Sequence, residues 1–480
     1  MANNLGTITV VGLGPGLPGH LTVDAKARLE EAAANGTLIL RTRVHPTVDA
    51  IPWLRAAPSF DHVYEEASDF EAVYESIVGN LLDRAPHGPV TYAVPGHPTI
   101  GESTVSRLRV QAKAAGISIE ILPGVSFVDV IAPLVDVDLG DGARIADALA
   151  LGRIDPTVPL LVCQVHSRRV AAGLKLDLAR HYPDEHPVTV IRAAGVPSEV
   201  HVSTIPLWEL DRRDDVDHLT SVWVPAIPVL EATREPASLL AVMARLRAPD
   251  GCPWDREQTH ASLRRFLLEE TYEALEALDS GDVFALEEEL GDLLLQIAFH
   301  AQIGAEAGTF DFGDVVAAIT GKMIRRHPHV FGDTAATTTD EVLANWEATK
   351  RVEREARGST DGARTSMLDG VPKALPALAQ SQAVQERAAR VGFDWPDVQG
   401  VLEKLVEEAR ELAEAPPEGL ADEVGDVLFV TVNLARHLGV DAEEALRGAT
   451  AKFRRRFGYV EQAVTDRGLE WASLGLPFLD

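Results

Sequence analysis

The chain has 480 residues, 46% of them hydrophobic, enough for two to four packed domains. Its 73 Asp and Glu outnumber 44 Lys and Arg to give a net charge of −29, which excludes a broad grip on a nucleic-acid backbone but leaves small nucleotides held through a metal ion open. The 2 cysteines, Cys163 and Cys252, match no metal-ligand spacing, and neither a signal-peptide pattern nor a long apolar run is present, so a cytoplasmic protein with no disulfide framework, zinc site or membrane partner is expected.

Short β-rich runs alternate with helical stretches through the first 225 residues: Ile8–Val11, Leu38–Leu40, Val90–Val94, Ile119–Leu122, Leu160–Val165, Val188–Ile191 and Ser221–Val224. That rhythm predicts an α/β domain over residues 1–228. Its first strand runs into Val10-Val-Gly-Leu-Gly-Pro-Gly16, a glycine-rich strand–helix turn suited to a small molecule. The dinucleotide fingerprint fails there. Leu17 takes the third glycine position, Pro15 intrudes, and the next strand ends in Arg41-Thr42 with no acid for a ribose.

After Pro225-Ala-Ile-Pro228 the β-rich runs stop, and residues 237–480 read as amphipathic helices with acidic faces. The multidomain chain is therefore expected to divide into the α/β domain, a helical repeat at 237–348, a charged Gly/Pro-containing connector at 349–376 and a second repeat at 377–480.

Each repeat carries the same ordered acids: Glu270-x-x-Glu273 with Glu289-x-x-Asp292, then Glu408-x-x-Glu411 with Glu423-x-x-Asp426. Residues three apart share one face of a helix. Turns at Ser280-Gly-Asp282 and Pro416-Pro-Glu-Gly419 predict hairpins that fold each pair of half-motifs together. Two carboxylates about 4 Å apart repel by roughly 4 kcal/mol at an effective dielectric near 20. A pocket of four calls for a cation, and all-oxygen donors favour Mg²⁺ or Mn²⁺. A single acid-x-x-acid match means little in so acidic a chain. Here, however, each tetrad is followed by an apolar helix and a basic cluster, Lys322-Met-Ile-Arg-Arg326 and Lys452-Phe-Arg-Arg-Arg456, an order unlikely to arise twice by chance. Lys452 and Arg456, four apart on a helix, suit phosphate oxygens.

Gly251-Cys-Pro-Trp-Asp-Arg-Glu-Gln-Thr-His260, Leu267-Leu-Glu-Glu-Thr-Tyr-Glu273, Glu288-Glu-Leu-Gly-Asp-Leu-Leu294, Arg326-His-Pro-His-Val-Phe-Gly332 and Val391-Gly-Phe-Asp-Trp395 resemble the MazG family of nucleoside triphosphate pyrophosphohydrolases over residues 237–465. The resemblance implies a dimer that hydrolyses nucleoside triphosphates to monophosphate and pyrophosphate with Mg²⁺. Glu408, Glu411, Glu423 and Asp426 would ligate metal, Lys404 would touch the nucleotide or its phosphates, and Lys452 and Arg456 would bind phosphate. The first repeat supplies Glu270, Glu273, Glu289 and Asp292, with Lys322 and Arg326. Phe266 occupies the position matching Lys404, which favours the second repeat for the chemistry, while the first is either a structural partner or a second site.

With Pro95-Gly-His-Pro-Thr99 and Leu122-Pro-Gly-Val-Ser126, residues 5–225 resemble the tetrapyrrole (corrin/porphyrin) methylases, and the fusion resembles the YabN type. That resemblance implies S-adenosylmethionine in a cleft lined by Gly12, Gly14, Gly16, Gly96, Pro123, Gly124 and Ser126. The family's Gly-Asp-Pro reads Gly96-His97-Pro98 here. Two other readings remain: methyl transfer as the main function with a regulatory or dimerising helical half, and a helical scaffold without catalysis.

Overall fold

The structure is a computed structural model that describes residues 6–67, 69–332, 338, 342, 366 and 368–471, so most of the expected connector lies outside the described residues. The chain forms two compact units, residues 1–317 and 318–480.

Unit 1 opens with a four-stranded parallel sheet of β1 (Thr7–Gly12), β2 (Leu38–Leu40), β3 (Val90–Val94) and β4 (Ser118–Leu122) in the order β2-β3-β1-β4. Its central strands are apolar on both faces because helices cover both. Alternation along β1 sends Ile8 and Val10 toward helices α2 (Phe70–Arg84) and α3 (Ser103–Ala114), where they meet Ile77, Leu81 and Leu108. Val11 goes the other way, to Ala25 and Leu29 of α1 (Val23–Ala34). Thr22 starts α1, its hydroxyl accepting from the Ala25 N–H at 3.2 Å.

A second sheet follows, built from β5 (Arg144–Asp147), β6 (Leu160–Cys163), β7 (Pro187–Arg192), β8 (His201–Pro206) and β9 (Thr220–Val224) in the order β5-β6-β9-β7-β8. Only β5 and β6 run parallel. One face packs on Ala171, Leu174 and Leu178 of α5 (Arg168–Leu178). The other joins Leu161, Ile191 and Trp223 to Ile131 of α4 (Phe127–Val135). The N-terminal part is thus α/β, as expected, and the regular elements that follow it among the described residues are helices.

The helices that follow include α6 (Pro236–Arg247), α7 (Arg264–Ser280) and α8 (Val283–Glu306). Helix α7 stops at Gly281, whose left-handed φ of 72° lets its N–H reach back to the Ala277 and Leu278 carbonyls. Asp282 then caps α8, its carboxylate accepting from the Phe284 and Ala285 N–H groups. The unit boundary falls within α9 (Phe312–Arg326). Unit 2 contains α10 (Ala377–Ala389), α11 (Val398–Glu414, capped by Asp397), α12 (Leu420–His437) and α13 (Ala442–Asp466). Both acid-bearing pairs, α7 with α8 and α11 with α12, are antiparallel hairpins in contact along their length. Among the described residues, no helix is long and apolar enough to cross a membrane.

Candidate functional site

In the second repeat, Glu408 on α11 and Glu423 and Asp426 on α12 bring one carboxylate oxygen each within 4.8 Å of the others. Position decides this: Glu408 lies on the face of α11 turned to α12, and Glu423 and Asp426 are one turn apart on the opposing helix. Glu408 is only 5% exposed. Burying a carboxylate is costly without a partner, and Lys404, one turn earlier, provides one with its Nζ 2.6 Å from Glu408 and 2.9 Å from Glu407. These two carboxylates hold the lysine ammonium well above its ordinary value. Glu411 stands outside the close group. Lost hydration, then the negative charge of Glu408, pushes its carboxyl up, with Glu407 and Glu423 adding to the rise.

The first repeat groups Glu270, Glu273 and Glu289 in the same way, with Asp292 outside the close set. Asp292 is still near enough to act on the others. Desolvation first, then the charges of Asp292 and Glu273, raises the Glu270 carboxyl, and Glu289 rises through desolvation and Glu273. No cation pairs with this cluster among the described residues. The position matching Lys404 belongs to Phe266, which packs edge-on against Trp254 at 5.7 Å and lies under the Arg265 guanidinium at 4.3 Å. Each cluster therefore offers an all-oxygen donor set with excess negative charge, a chemistry that fits Mg²⁺ or Mn²⁺.

The basic residues are placed differently. Lys322 and Arg326 belong to unit 2, whereas Glu270, Glu273, Glu289 and Asp292 belong to unit 1. Lys452 and Arg456 share a unit with the second cluster, but both are exposed on α13 and neither pairs with a described residue. Alongside them, Phe453 and Phe457 stack at 5.9 Å, and Phe457 meets Trp471 at 5.5 Å. The Phe393-Asp394-Trp395 turn is tied to α12 through Asp394, which accepts from Arg436 at 2.5 Å and from His437 at 3.1 Å. Burial alone would raise the Asp394 carboxyl, but these two bonds hold it below its usual range.

Unit 1 has a second candidate site, a pocket of about 530 Å³ between its two sheets. The glycine-rich turns build its back wall. A Cβ on Gly12 would lie 2.6 Å from the Gly96 carbonyl oxygen and 2.8 Å from the Gly124 nitrogen, so three backbones meet where no side chain fits. Gly14, at φ 70°, exchanges two backbone hydrogen bonds with Gly96. Ser126 caps α4, its Oγ accepting from the Val128 N–H at 3.1 Å. Of the residues expected at a cofactor, only Gly96 faces the cavity. Gly12, Gly14, Gly16, Pro123, Gly124 and Ser126 are not in its lining; Gly12 and Gly124 pack against Gly96, and Gly16 against Gly195, which do line it. His97 is engaged locally, its Nδ1 accepting from the Thr99 N–H at 3.2 Å.

Several lining residues carried no signal in the sequence. Gln164 and Ala193 sit at the ends of β6 and β7 with φ of 64° and 52°, a left-handed conformation unusual without glycine. Phe127 and Ile131 give an apolar surface. Arg41, from the end of β2, pairs with buried Glu102 and donates from Nε to the Tyr64 hydroxyl at 2.8 Å. Buried Cys163 also borders the cavity, with desolvation pushing its thiol up to about 12. Open backbone on one rim and apolar surface on the other suit a nucleoside-bearing cofactor.

Two family models match the chain: the tetrapyrrole (corrin/porphyrin) methylases over residues 7–210, and the MazG nucleotide pyrophosphohydrolase domain over 258–331 and again over 397–460. YabN of Bacillus subtilis (strain 168) is 40% identical over 99% of this chain and 97% of its own length. The chain belongs to the YabN-type MazG family. Relatives named nucleoside triphosphate pyrophosphohydrolases align along the helical half. The nucleoside triphosphate pyrophosphohydrolase of Escherichia coli (strain K12) is 48% identical over 50% of this chain and 93% of its own. The nucleoside triphosphate pyrophosphohydrolase/pyrophosphatase MazG of Thermotoga maritima is 45% identical over 50% and 91%.

Proposed function

We propose that the helical half of this YabN-type chain is a Mg²⁺- or Mn²⁺-dependent nucleoside triphosphate pyrophosphohydrolase whose reaction centre is the second repeat. The observation that carries this reading is the convergence of Glu408, Glu423 and Asp426 within 4.8 Å beside Lys404. Glu408, Glu423 and Asp426 would hold the metal, which when bound draws charge from the phosphates and acidifies water. Glu411, exposed and with its carboxyl raised, is suited to take the proton from the attacking water. Lys404, Lys452 and Arg456 would face the phosphate oxygens. We take the functional domains as 1–228, 237–348 and 377–480, joined by 349–376, in a cytoplasmic homodimer. The test is a product assay over a panel of nucleoside triphosphates with Mg²⁺. Monophosphate and pyrophosphate are expected, and Asp426→Asn should lower kcat by about a hundredfold or more. Orthophosphate as the product would exclude the reading.

The α/β half supports a second assignment, S-adenosylmethionine binding, because the Gly12–Gly96–Gly124 backbone contact and the left-handed Gln164 and Ala193 all converge on one pocket. On this view the chain is bifunctional, or methyl transfer leads and the helices regulate. Calorimetry with S-adenosylmethionine should give a one-to-one isotherm that Gly12→Val abolishes. A flat titration of the unaltered chain would remove the methyltransferase reading.

A further inference from the structure

Lys404 is the one cation paired with an acid cluster among the described residues. Its partner Glu408 is the most buried acid of the second cluster and is also one of the three whose oxygens converge. The ammonium and a divalent cation would therefore compete for one carboxylate, and two cations on a single group repel. Lys404 has somewhere else to go. Its side chain is about one-third exposed, and Glu407, which also holds it, is 57% exposed, so the flexible stem can swing off Glu408 without breaking the core. The first cluster has no such lysine, and packed Phe266 cannot supply a charge.

Resting on the reading of the second repeat as a metal and triphosphate site, we propose that Lys404 is a counter-ion that exchanges places with the divalent metal. It neutralises Glu408 until the metal arrives, is displaced by it, and then transfers to an anionic oxygen of the metal-borne triphosphate. Two consequences follow. Metal binding in the second repeat is held weak until nucleotide gives the displaced ammonium a partner, so metal and triphosphate bind cooperatively there. In the first repeat metal binds without that coupling.

Lys404→Met and Lys404→Arg test this. Both residues are good helix formers, so α11 is kept. The full-length chains, each also carrying Glu289→Gln to weaken the first cluster, are titrated with Mn²⁺ alone while free Mn²⁺ is read by electron paramagnetic resonance. Lys404→Met should bind Mn²⁺ about tenfold more tightly than its parent, and Lys404→Arg should stay within about twofold of it. A merely structural lysine would give loss instead of gain. With a non-hydrolysable α,β-methylene triphosphate present the order reverses, and Lys404→Met should lose about tenfold in nucleotide affinity. If Lys404→Met binds Mn²⁺ as its parent does, or more weakly, the exchange is refuted while the metal site stands. If no variant binds Mn²⁺, the metal reading falls and the exchange with it.

Discussion

His45 shows how one side chain in the α/β half ties pocket architecture to pH. It precedes the short helix Pro46–Ala50 at the pocket without capping it through its side chain, 5% exposed, with its Nδ1 unpaired among the described residues and the Gly14 carbonyl beside the ring. Burial drives its pKa down to about 4, the Gly14 carbonyl only partly opposing and His218 adding to the fall. Above the ordinary histidine value of about 6.5, both folded and unfolded chains hold a neutral ring. Between about 6.5 and 4 the unfolded chain takes up a proton that the folded chain refuses, so stability present at neutral pH is lost as pH falls through that window. The loss approaches about 3 kcal/mol at its lower end. His45→Gln removes the titration. Denaturant unfolding of the α/β half, followed between pH 7 and 4.5, should show a clearly shallower decline in the variant, and parallel curves would rule out the role of His45. The sequence gives no sign of this residue's importance, since its burial comes from the return of distant chain onto the β1 turn.

At the scale of elements, what could be read from the sequence divides along physical lines. Seven β-rich runs were visible because each is rich in Val, Ile and Leu: five supply interior strands, while β2 and β4, the edges of the first sheet, keep apolar residues packed against the helices. The two strands without a signal, β5 and β8, are the two edges of the second sheet. These two pair on one side only and meet solvent, so Arg144-Ile-Ala-Asp147 and His201-Val-Ser-Thr-Ile-Pro206 carry polar residues where the interior strands of the sheet carry apolar ones. The run expected to reach Val165 ends at Cys163, where Gln164 turns left-handed into the pocket. The hairpins were legible because Gly281 and Pro416–Gly419 break the helical period between acids spaced at i, i+3. Spacing could not say which three of four acids converge. That depends on the rotation of each helix about its axis, and the two repeats settle it differently, with Glu273 inside the first group and Asp426 inside the second. The Lys404–Glu408 bond follows directly from i, i+4 spacing.

For the molecule as a whole, the two halves bury their apolar residues unequally, and this bears on assembly. The sheets of unit 1 enclose Ile8, Leu13, Leu40, Tyr92 and Leu161 almost completely. In the acid-bearing hairpins, Leu290, Leu294 and Ile297 of α8 and Val406, Leu428 and Phe429 of α11 and α12 remain exposed. Helix α13 is the extreme case: of its 25 residues only Ala442 and Val464 are buried, and Phe453 is 65% exposed. A helix of that length with so little of its surface packed, against α10 and α12, is marginal in water, because helical stability comes mainly from burying an amphipathic stripe. Patches on this scale mark surfaces that other protein covers. The net charge of −29 opposes self-association in general, so contact should centre where basic Lys452–Arg456 and the Phe453–Phe457 stack lie together. Sedimentation equilibrium of the full chain should then give a dimer at micromolar concentration. Phe453→Asp combined with Phe457→Asp should shift it toward monomer, lower the helical content of α13 and reduce nucleoside triphosphate hydrolysis by about tenfold or more as Lys452 and Arg456 lose their placement. An unaltered chain that sediments as a monomer would overturn the dimer. A double variant that stays dimeric would move the interface away from α13, to the exposed stripes of the two hairpins.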